Sequence, residues 1–228
     1  MTASHTLRVC TTGDYRPFTF RDAEGNFSGM DIDLADDLAR QLGVTATFVP
    51  TSWTNLLADL ERNCDVAMGG ISVTPERAVK ALFSNPYLHD GKAAIARCED
   101  AARYRSLGDI DQDGVRVIVN PGGTNERFDR QHLQHATIVE YPDNNLIFEQ
   151  LIVGNADVMI TDRSEIRWQT TQHPQLCASS TDQLFTDTEK AYLIRPGNDA
   201  LRERIDMWLN DIQHNGSYSS IARRWLGT

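Results

Sequence analysis

Arg77 occupies a position at which a guanidinium group can hold a carboxylate. Residues Asp65–Met68 form a short, largely apolar run that predicts a buried strand, and Gly69-Gly70 ends this strand in a loop. Thr74-Pro75-Glu76 predicts the start of a helix, with a hydroxyl group at the N-cap and a proline in the first turn. Arg77 therefore lies just past the carboxyl end of a strand, beside Ser72 and the N–H groups of the Gly70 loop. There its planar fork can bind a carboxylate through two hydrogen bonds.

The alternative for Arg77 is a surface position, with its charge paired to Glu76 or Asp90. Lys92 begins the next apolar run, residues 93–96, which predicts another strand. From the start of that strand, Lys92 is expected to point toward the same ligand-binding region as Arg77.

Asp14 lies in a loop that follows the first predicted strand, Leu7–Cys10, together with two aromatic residues. Loops at the carboxyl ends of strands are the places where open α/β sheets bind their ligands. Trp53 is predicted in the first turn of a helix that Thr51-Ser52 cap. A tryptophan there either packs into the core or forms the wall of a pocket.

The loop Asn120-Pro121-Gly122-Gly123-Thr124 separates a predicted strand, Val115–Val119, from a predicted helix. Loop N–H groups at a helix N-terminus form an anion site, although a plain turn is the alternative. Another strand, Val158–Thr161, ends at Asp162, and Glu165 follows three residues later. This spacing is nearly that of a capping box, so a purely structural role for both acids is an open alternative.

The composition limits the classes of partner. The chain has 228 residues, 40% of them hydrophobic, and a formal net charge of -10, which disfavours nucleic acid and anionic membranes as partners. No apolar run reaches the about 20 residues that a membrane-spanning helix requires. Because the first predicted strand begins at Leu7, we expect no leader, and either a cytosolic chain or the mature form of an exported protein.

The four cysteines show no spacing typical of zinc ligands. Cys10 and Cys64 lie in or beside predicted core strands and are expected to be buried thiols. Cys98 and Cys177 can form a disulfide if the compartment is oxidising. We expect no metal and no cofactor, since the histidines are scattered and no phosphate-binding or dinucleotide-binding glycine motif is present.

Two similar helix-strand segments predict two α/β lobes. One leads from Asn55 to Met68 and the other from Asn145 to Met159, about 90 residues further on. We predict a first lobe of residues 1–97 and 192–228, a second lobe of residues 98–191, and a ligand cleft between them. Two crossings of the chain, near Ala96 and Ala191, would form a hinge.

Several motifs resemble those of the type II periplasmic solute-binding proteins for amino acids. They are Tyr15-Arg16-Pro17-Phe18, Gly29-Met30-Asp31-Ile32-Asp33-Leu34-Ala35, Ser72-Val73-Thr74-Pro75-Glu76-Arg77 and Phe83-Ser84-Asn85-Pro86-Tyr87. The resemblance implies an α/β, two-lobed Venus-flytrap fold with two hinge crossings. It also implies that Arg77, Ser72 and the Gly123-Thr124 loop bind an α-carboxylate and that Asp162 binds an α-amino group.

A closer resemblance is to the cyclohexadienyl dehydratases, exported enzymes on the same fold. It rests on the motifs Thr12-Gly13-Asp14-Tyr15, Thr51-Ser52-Trp53, Pro86-Tyr87-Leu88-His89-Asp90-Gly91-Lys92, Asn120-Pro121-Gly122-Gly123-Thr124-Asn125-Glu126, and Thr161-Asp162 with Glu165. It implies a lyase that turns prephenate into phenylpyruvate or arogenate into phenylalanine, in the periplasm, on a small dicarboxylate or amino-acid substrate. The alternative is a non-catalytic amino-acid receptor of an ABC transporter. The oligomeric state is not predicted.

The dehydratase resemblance implies a role for each polar residue of the cleft. Loss of hydroxide from the ring requires a general acid, and Glu165 fills that role in a closed cleft beside a dianionic substrate. Lys92 and Asn120 are implied to orient the ring carboxylate, Trp53 to cover the ring, and Asp14 to position Glu165 or the hydroxyl group.

Overall fold

The computed structural model describes residues 6–179 and 183–227. The chain forms two compact units, Met1–His89 with Glu189–Thr228, and Asp90–Thr188. The first change of unit thus falls before the strand Lys92–Arg97, whereas the sequence analysis placed it after residue 97. This strand pairs with the strands Val158–Asp162 and Leu176–Ala178, so its hydrogen bonds belong to the sheet of the second unit.

The first unit begins with eleven elements. They are β1 (Thr6–Thr11), β2 (Asp14–Tyr15), β3 (Thr19–Arg21), β4 (Phe27–Ser28), α1 (Met30–Leu42), β5 (Thr45–Pro50), α2 (Leu56–Asn63), β6 (Val66–Ala67), α3 (Pro75–Ala78), β7 (Leu82–Phe83) and β8 (Leu88–Asp90).

The elements that follow β8 build the second unit and then return to the first. They are β9 (Lys92–Arg97), a 3₁₀ turn (Ala101–Arg103), α4 (Leu107–Ile110), β10 (Arg116–Val119), α5 (Thr124–His132), β11 (Thr137–Glu140), α6 (Ile147–Ile152), β12 (Val158–Asp162), α7 (Arg163–Gln172), β13 (Leu176–Ala178), β14 (Thr188–Lys190), β15 (Leu193–Ile194), α8 (Asp199–Asn215) and α9 (Ser217–Leu226).

The main sheet of the first unit has the strand order β5-β1-β6-β15-β7, with β1 parallel to both β5 and β6. Val9, Val66 and Ala67 are fully buried, as expected for central strands that are covered on both faces. The loops that follow β1 and β6 therefore leave the sheet at the same end, at the carboxyl ends of these parallel strands. The Asp14 segment and the Gly70 loop both lie at this end.

The sheet of the second unit has the order β11-β10-β12-β9-β13. Strand β12 is parallel to β10 and antiparallel to β9, in a register that sets Asp162 opposite Lys92. The end of β12 thus lies beside the start of β9. This register places a cation from one strand directly against an acid from the next.

The cysteines form two disulfides, Cys10–Cys64 in the first unit and Cys98–Cys177 in the second. The prediction of buried thiols at Cys10 and Cys64 is therefore wrong, although both residues are fully buried. Cys10 ends the pairing of β1 with β6, opposite Ala67, and Cys64 is the C-cap residue of α2, two residues before β6. Their Cα atoms are 5.7 Å apart, a separation that the sequence alone does not reveal.

No helix within the described ranges is both long enough and apolar enough to cross a bilayer.

Replacing Cys98 and Cys177 together by alanine is expected to lower the free energy of unfolding by about 2–4 kcal/mol, because the disulfide closes a long loop in the unfolded chain. Urea titration followed by circular dichroism measures this change against oxidised wild-type protein, in which the Cys10–Cys64 disulfide is also intact. Equal stability of the variant and the oxidised wild-type protein would contradict the prediction.

Candidate functional site

Most of the residues that the sequence singles out lie, with neighbouring side chains, in two groups, one in each unit. The Arg77 cluster is the group in the first unit: Tyr15, Trp53, Gly70, Ser72, Arg77 and Lys190. The Glu165 cluster is the group in the second unit: Lys92, Thr124, Asn125, Thr161, Asp162 and Glu165.

Arg77 is buried, with 7% of its surface exposed, so the alternative of a surface arginine is wrong. The predicted helix start is confirmed, since the Arg77 N–H group donates a hydrogen bond to Thr74 Oγ1 over 3.3 Å. Nη1 of Arg77 donates to the Ser72 carbonyl oxygen over 2.9 Å, and its Cζ lies 5.9 Å from the centre of a Trp53 ring. The guanidinium group is thus held in place within the first unit by a backbone oxygen and an aromatic ring.

Lys190 adds a second cation to the Arg77 cluster. Its side chain is fully buried, and Nζ donates to Ser72 Oγ over 3.0 Å and to Tyr15 Oη over 3.4 Å. Because Ser72 Oγ accepts from Lys190, its own proton is available to donate to an anion. Lys190 received no function in the sequence analysis. The signal was one lysine beside the apolar run Ala191–Ile194.

The Gly70 loop is fixed by Asp31. The Gly70 N–H group donates to Asp31 Oδ2 over 2.6 Å, and the Tyr87 hydroxyl group donates to the same oxygen over 2.7 Å. The pKa of Asp31 is raised to about 6 by burial, even though these two hydrogen bonds and one from Tyr192 oppose the rise. From the sequence, Asp31 was expected to interact with the positive end of a helix, and no contact with the Gly70 loop was predicted. The structure shows a buried acid that anchors the loop.

Gly70 itself must be glycine. It has a positive φ of 70°, and a Cβ atom there would lie 2.5 Å from a ring atom of Phe18. The loop therefore passes so close to the aromatic residues after β1 that no side chain fits.

Trp53 lies in the turn before α2, because this helix begins at Leu56 and not at residue 53 as predicted. Its ring is half-buried and meets the Tyr15 ring edge-on, with centroids 5.5 Å apart. Trp53 also packs against the core of the first unit. Asp14 is half-buried in β2, next to Tyr15.

Glu165 is almost completely buried, with 1% of its surface exposed. It lies in the first turn of α7 and accepts a hydrogen bond from Thr161 Oγ1 over 2.5 Å. Asp162 is the N-cap residue of this helix, but its side chain makes no capping hydrogen bond. The capping-box alternative is therefore wrong. Asp162 instead binds Lys92 Nζ over 2.8 Å.

Lys92 is buried and uses all three of its N–H donors within the Glu165 cluster. Nζ donates to Asp162 Oδ1, to Asn125 Oδ1 and, over 3.2 Å, to Thr124 Oγ1. An ammonium group has three donors, so the predicted contact with a substrate carboxylate would have to replace one of these bonds. The geometry favours a role for Lys92 in holding Asp162 and α5 in place.

Asn120 follows the end of β10 and is 5% exposed. Among the residues that the structure describes, none makes a hydrogen bond with its side-chain amide, which leaves the amide available to a ligand. Gly123 is the N-cap residue of α5, and Thr124 is the first residue of this helix. The Gly122 N–H group is already bound to Glu126 over 2.7 Å, so an anion at this loop would use the N–H groups that follow.

The chain from residue 7 to residue 228 matches the family model of the bacterial extracellular solute-binding proteins, family 3. This protein is a member of that family. Its two α/β units have the type II fold that the sequence resemblance predicted.

Two kinds of relative share this family. The chain is 47% identical to a cyclohexadienyl dehydratase of Pseudomonas aeruginosa, over 98% of this chain and 83% of the relative. It is 28% identical to the L-cystine-binding protein of Escherichia coli, over 97% of this chain and 83% of the relative. Among solved structures, an ancestral amino acid-binding protein described as a precursor of cyclohexadienyl dehydratase is similar, with a TM-score of 0.90 and 33% identity over 97% of this chain and 95% of its own.

The second unit also contains a buried acid that was not singled out from the sequence. Asp129 lies in α5, one turn after Asn125, and is fully buried. Neither carboxyl oxygen has a hydrogen-bond partner among the described residues. The pKa of Asp129 is raised to about 8, mainly by burial and to a smaller extent by the charge of Glu126, although the charges of Lys92 and Arg130 oppose the rise.

Asp129→Asn is expected to change the pH dependence of stability. The pKa of Asp129 is about 8 in the folded chain and close to its ordinary value of 3.8 in the unfolded chain, so between these values the folded chain binds one more proton. The wild-type free energy of unfolding should therefore fall by up to about 1.4 kcal/mol per pH unit as the pH rises toward 8. The variant lacks this contribution, and its stability relative to wild type should rise over the same range.

Urea titrations at a series of pH values measure the difference. Asp113→Asn, at an exposed position of the same unit, is the matched control. A difference between Asp129→Asn and wild type that stays constant from pH 5 to pH 8 would contradict the assignment.

Proposed function

We propose that this protein is a cyclohexadienyl dehydratase that converts prephenate to phenylpyruvate, arogenate to phenylalanine, or both. The observation that carries the proposal is the buried carboxyl group of Glu165, which takes part in no helix cap and is 1% exposed. Support comes from the 47% identity to the dehydratase of Pseudomonas aeruginosa over almost the whole chain.

Glu165 acts as the general acid. Its proton passes to the ring hydroxyl oxygen as the C–O bond breaks, so that water leaves instead of hydroxide. The bond between the ring and its carboxylate breaks at the same time, its electron pair enters the ring, and carbon dioxide leaves. Solvent must then return one proton to Glu165. Burial of a carboxyl group disfavours its charged form, which keeps the proton in place until it is used.

The Arg77 cluster binds the side-chain carboxylate of the same substrate. Arg77 offers a bidentate contact, and the Ser72 hydroxyl group, with Lys190 as its donor, offers a further hydrogen bond. Trp53 covers the apolar ring. In the second unit, Asn120 binds the polar edge of the ring, and the Gly123-Thr124 segment supplies backbone donors. The dehydratase resemblance assigns Asp14 to the ring hydroxyl group.

Asp162 bears on the choice between the two substrates. An unpaired carboxylate would favour the ammonium group of arogenate and repel the keto acid prephenate. Lys92 pairs with Asp162 over 2.8 Å and so offsets this charge. We propose that the pair allows both substrates, with the preference set by how far Asp162 remains available to an ammonium group.

A non-catalytic receptor for an amino acid is the second candidate. It is favoured by relatives such as the L-cystine-binding protein, which shares 28% identity over nearly the whole chain. A receptor predicts tight retention of an amino acid without turnover. It gives no reason for a carboxyl group at position 165.

We propose a periplasmic location. Disulfides persist in oxidising compartments and are rare in the cytosol, and the two here join all four cysteines of the chain.

Incubation with prephenate is expected to yield phenylpyruvate, and Glu165→Gln is expected to lower kcat by about 100- to 10,000-fold, the usual contribution of a general acid. Absorbance of the enol form of phenylpyruvate in alkali measures the product. Glu149→Gln, on an exposed position of α6, is the control. Absence of product from wild-type protein that binds an amino acid tightly would favour the receptor, and full activity of Glu165→Gln would remove Glu165 from the reaction.

Arg77→Lys is expected to raise KM for prephenate by about 10- to 100-fold, because lysine keeps the charge but loses one charged hydrogen bond worth about 1.5–3 kcal/mol. The effect on kcat should be smaller, since the side-chain carboxylate does not change charge in the reaction. Steady-state kinetics beside Arg223→Lys, at an exposed position of α9, give the comparison. An unchanged KM would show that Arg77 does not bind the substrate.

A further inference from the structure

A chain of hydrogen bonds runs from Lys92 to Glu165 through two residues to which the mechanism above gives no role. Lys92 Nζ donates to Asn125 Oδ1, Asn125 Nδ2 donates to Thr161 Oγ1 over 3.1 Å, and Thr161 Oγ1 donates to Glu165 Oε2 over 2.5 Å. All four residues belong to the second unit. Each is at most 8% exposed, so bulk water does not compete for these bonds.

The direction of this chain is fixed by the chemistry of its first member. An ammonium group can only donate, so the amide oxygen of Asn125 must face Lys92 and its NH2 group must face Thr161. Thr161 Oγ1 therefore accepts from Asn125. Its hydroxyl proton then has one acceptor among the hydrogen bonds of the described residues, which is Oε2 of Glu165.

We infer that Asn125 and Thr161 are positioning residues, which keep Oε2 of Glu165 as an acceptor and thereby hold the transferable proton on Oε1. The inference rests on the proposed function, in which Glu165 is the general acid. No proton moves along the chain. Thr161 donates to the same oxygen before and after the reaction, and the proton that Oε1 gives up goes to the leaving hydroxyl group.

A donor to Oε2 also stabilises the carboxylate that forms when Glu165 loses its proton. Without this hydrogen bond a fully buried acid would be too weak to protonate a hydroxyl group efficiently. The charged groups on the elements that contact α7 include Lys92 at the start of β9, Arg97 at its far end and Asp162 at the end of β12, while β13 carries none. They also include Asp90 at the end of β8, which is buried and accepts a hydrogen bond from Ser164 Oγ over 2.5 Å. The buried Asp129 of α5 interacts with the charge of Lys92. Arg163 and Arg167 are the other charged residues of α7 itself.

The test compares Thr161→Val, which keeps the shape of the side chain but loses the hydroxyl group, with Thr161→Ser, which keeps the hydroxyl group. For prephenate turnover, we expect Thr161→Val to lower kcat by about 10-fold or more and to shift the basic limb of its pH profile upward by about one pH unit. Thr161→Ser should restore both. If Thr161 had only a structural role, Thr161→Val would lower the amount of folded protein but would not shift the basic limb of the pH profile.

A second readout does not require turnover. The infrared C=O band of protonated Glu165, identified by its loss in Glu165→Gln, should move to higher frequency in Thr161→Val, because the carbonyl oxygen no longer accepts a hydrogen bond. Asn125→Ala is the second variant, in case Thr161→Val fails to fold, and it should move the band and the limb in the same direction by a smaller amount.

The outcomes separate the inference from the function on which it rests. If wild-type protein makes no phenylpyruvate, the proposed function fails, and the infrared band still shows whether Thr161 donates to Glu165. The inference is overturned if wild-type protein is active but Thr161→Val and Asn125→Ala both have the same basic pH limb of kcat as Thr161→Ser and the same infrared C=O frequency of Glu165.

Discussion

The pairing of β9 with β12 is the constraint on which the second unit's chemistry depends. Its register sets Lys92 opposite Asp162, and the two side chains form a buried ion pair of 2.8 Å. Such a pair seldom adds stability, because removing two charges from water costs about as much as their attraction returns. Its value here is geometric. It fixes an ammonium group at a known point, and from that point the orientations of Asn125, Thr161 and Glu165 follow.

The first unit contains two buried cations, Arg77 and Lys190, in a chain of net charge -10. Arg77 and Lys190 both bind Ser72, one at its carbonyl oxygen and the other at its hydroxyl group. The overall negative field would repel an anionic ligand at long range, so an anion can be held only where such local donors outweigh that field. The buried acid Asp31 acts on the backbone beside them, since it fixes the Gly70 loop without placing its charge on the surface.

Structural features that depend on short-range sequence patterns could be predicted from the sequence. The start of α3 after the N-cap residue Thr74 follows from its capping and proline signals, and the motifs around Arg77 and Glu165 identify the family. Features that depend on pairing between distant segments were missed. The bond between Cys10 and Cys64, and the contacts of Lys190 and Asn125, require the sheet registers, which no local pattern contains. The capping box failed for the same reason, because Lys92 competes for Asp162 from another strand.

Two buried acids lie in the second unit, and their surroundings suit them to different tasks. Asp129 has no hydrogen-bond donor among the described residues and a raised pKa of about 8, so at neutral pH it is mainly uncharged and adds no second negative charge beside Lys92. Glu165 is just as deeply buried but receives a donor from Thr161. A group that must give up a proton needs help in carrying the charge that remains, and a group that only fills space does not. As the proposed general acid, Glu165 thus differs from Asp129 in the hydrogen bond that Thr161 donates to it.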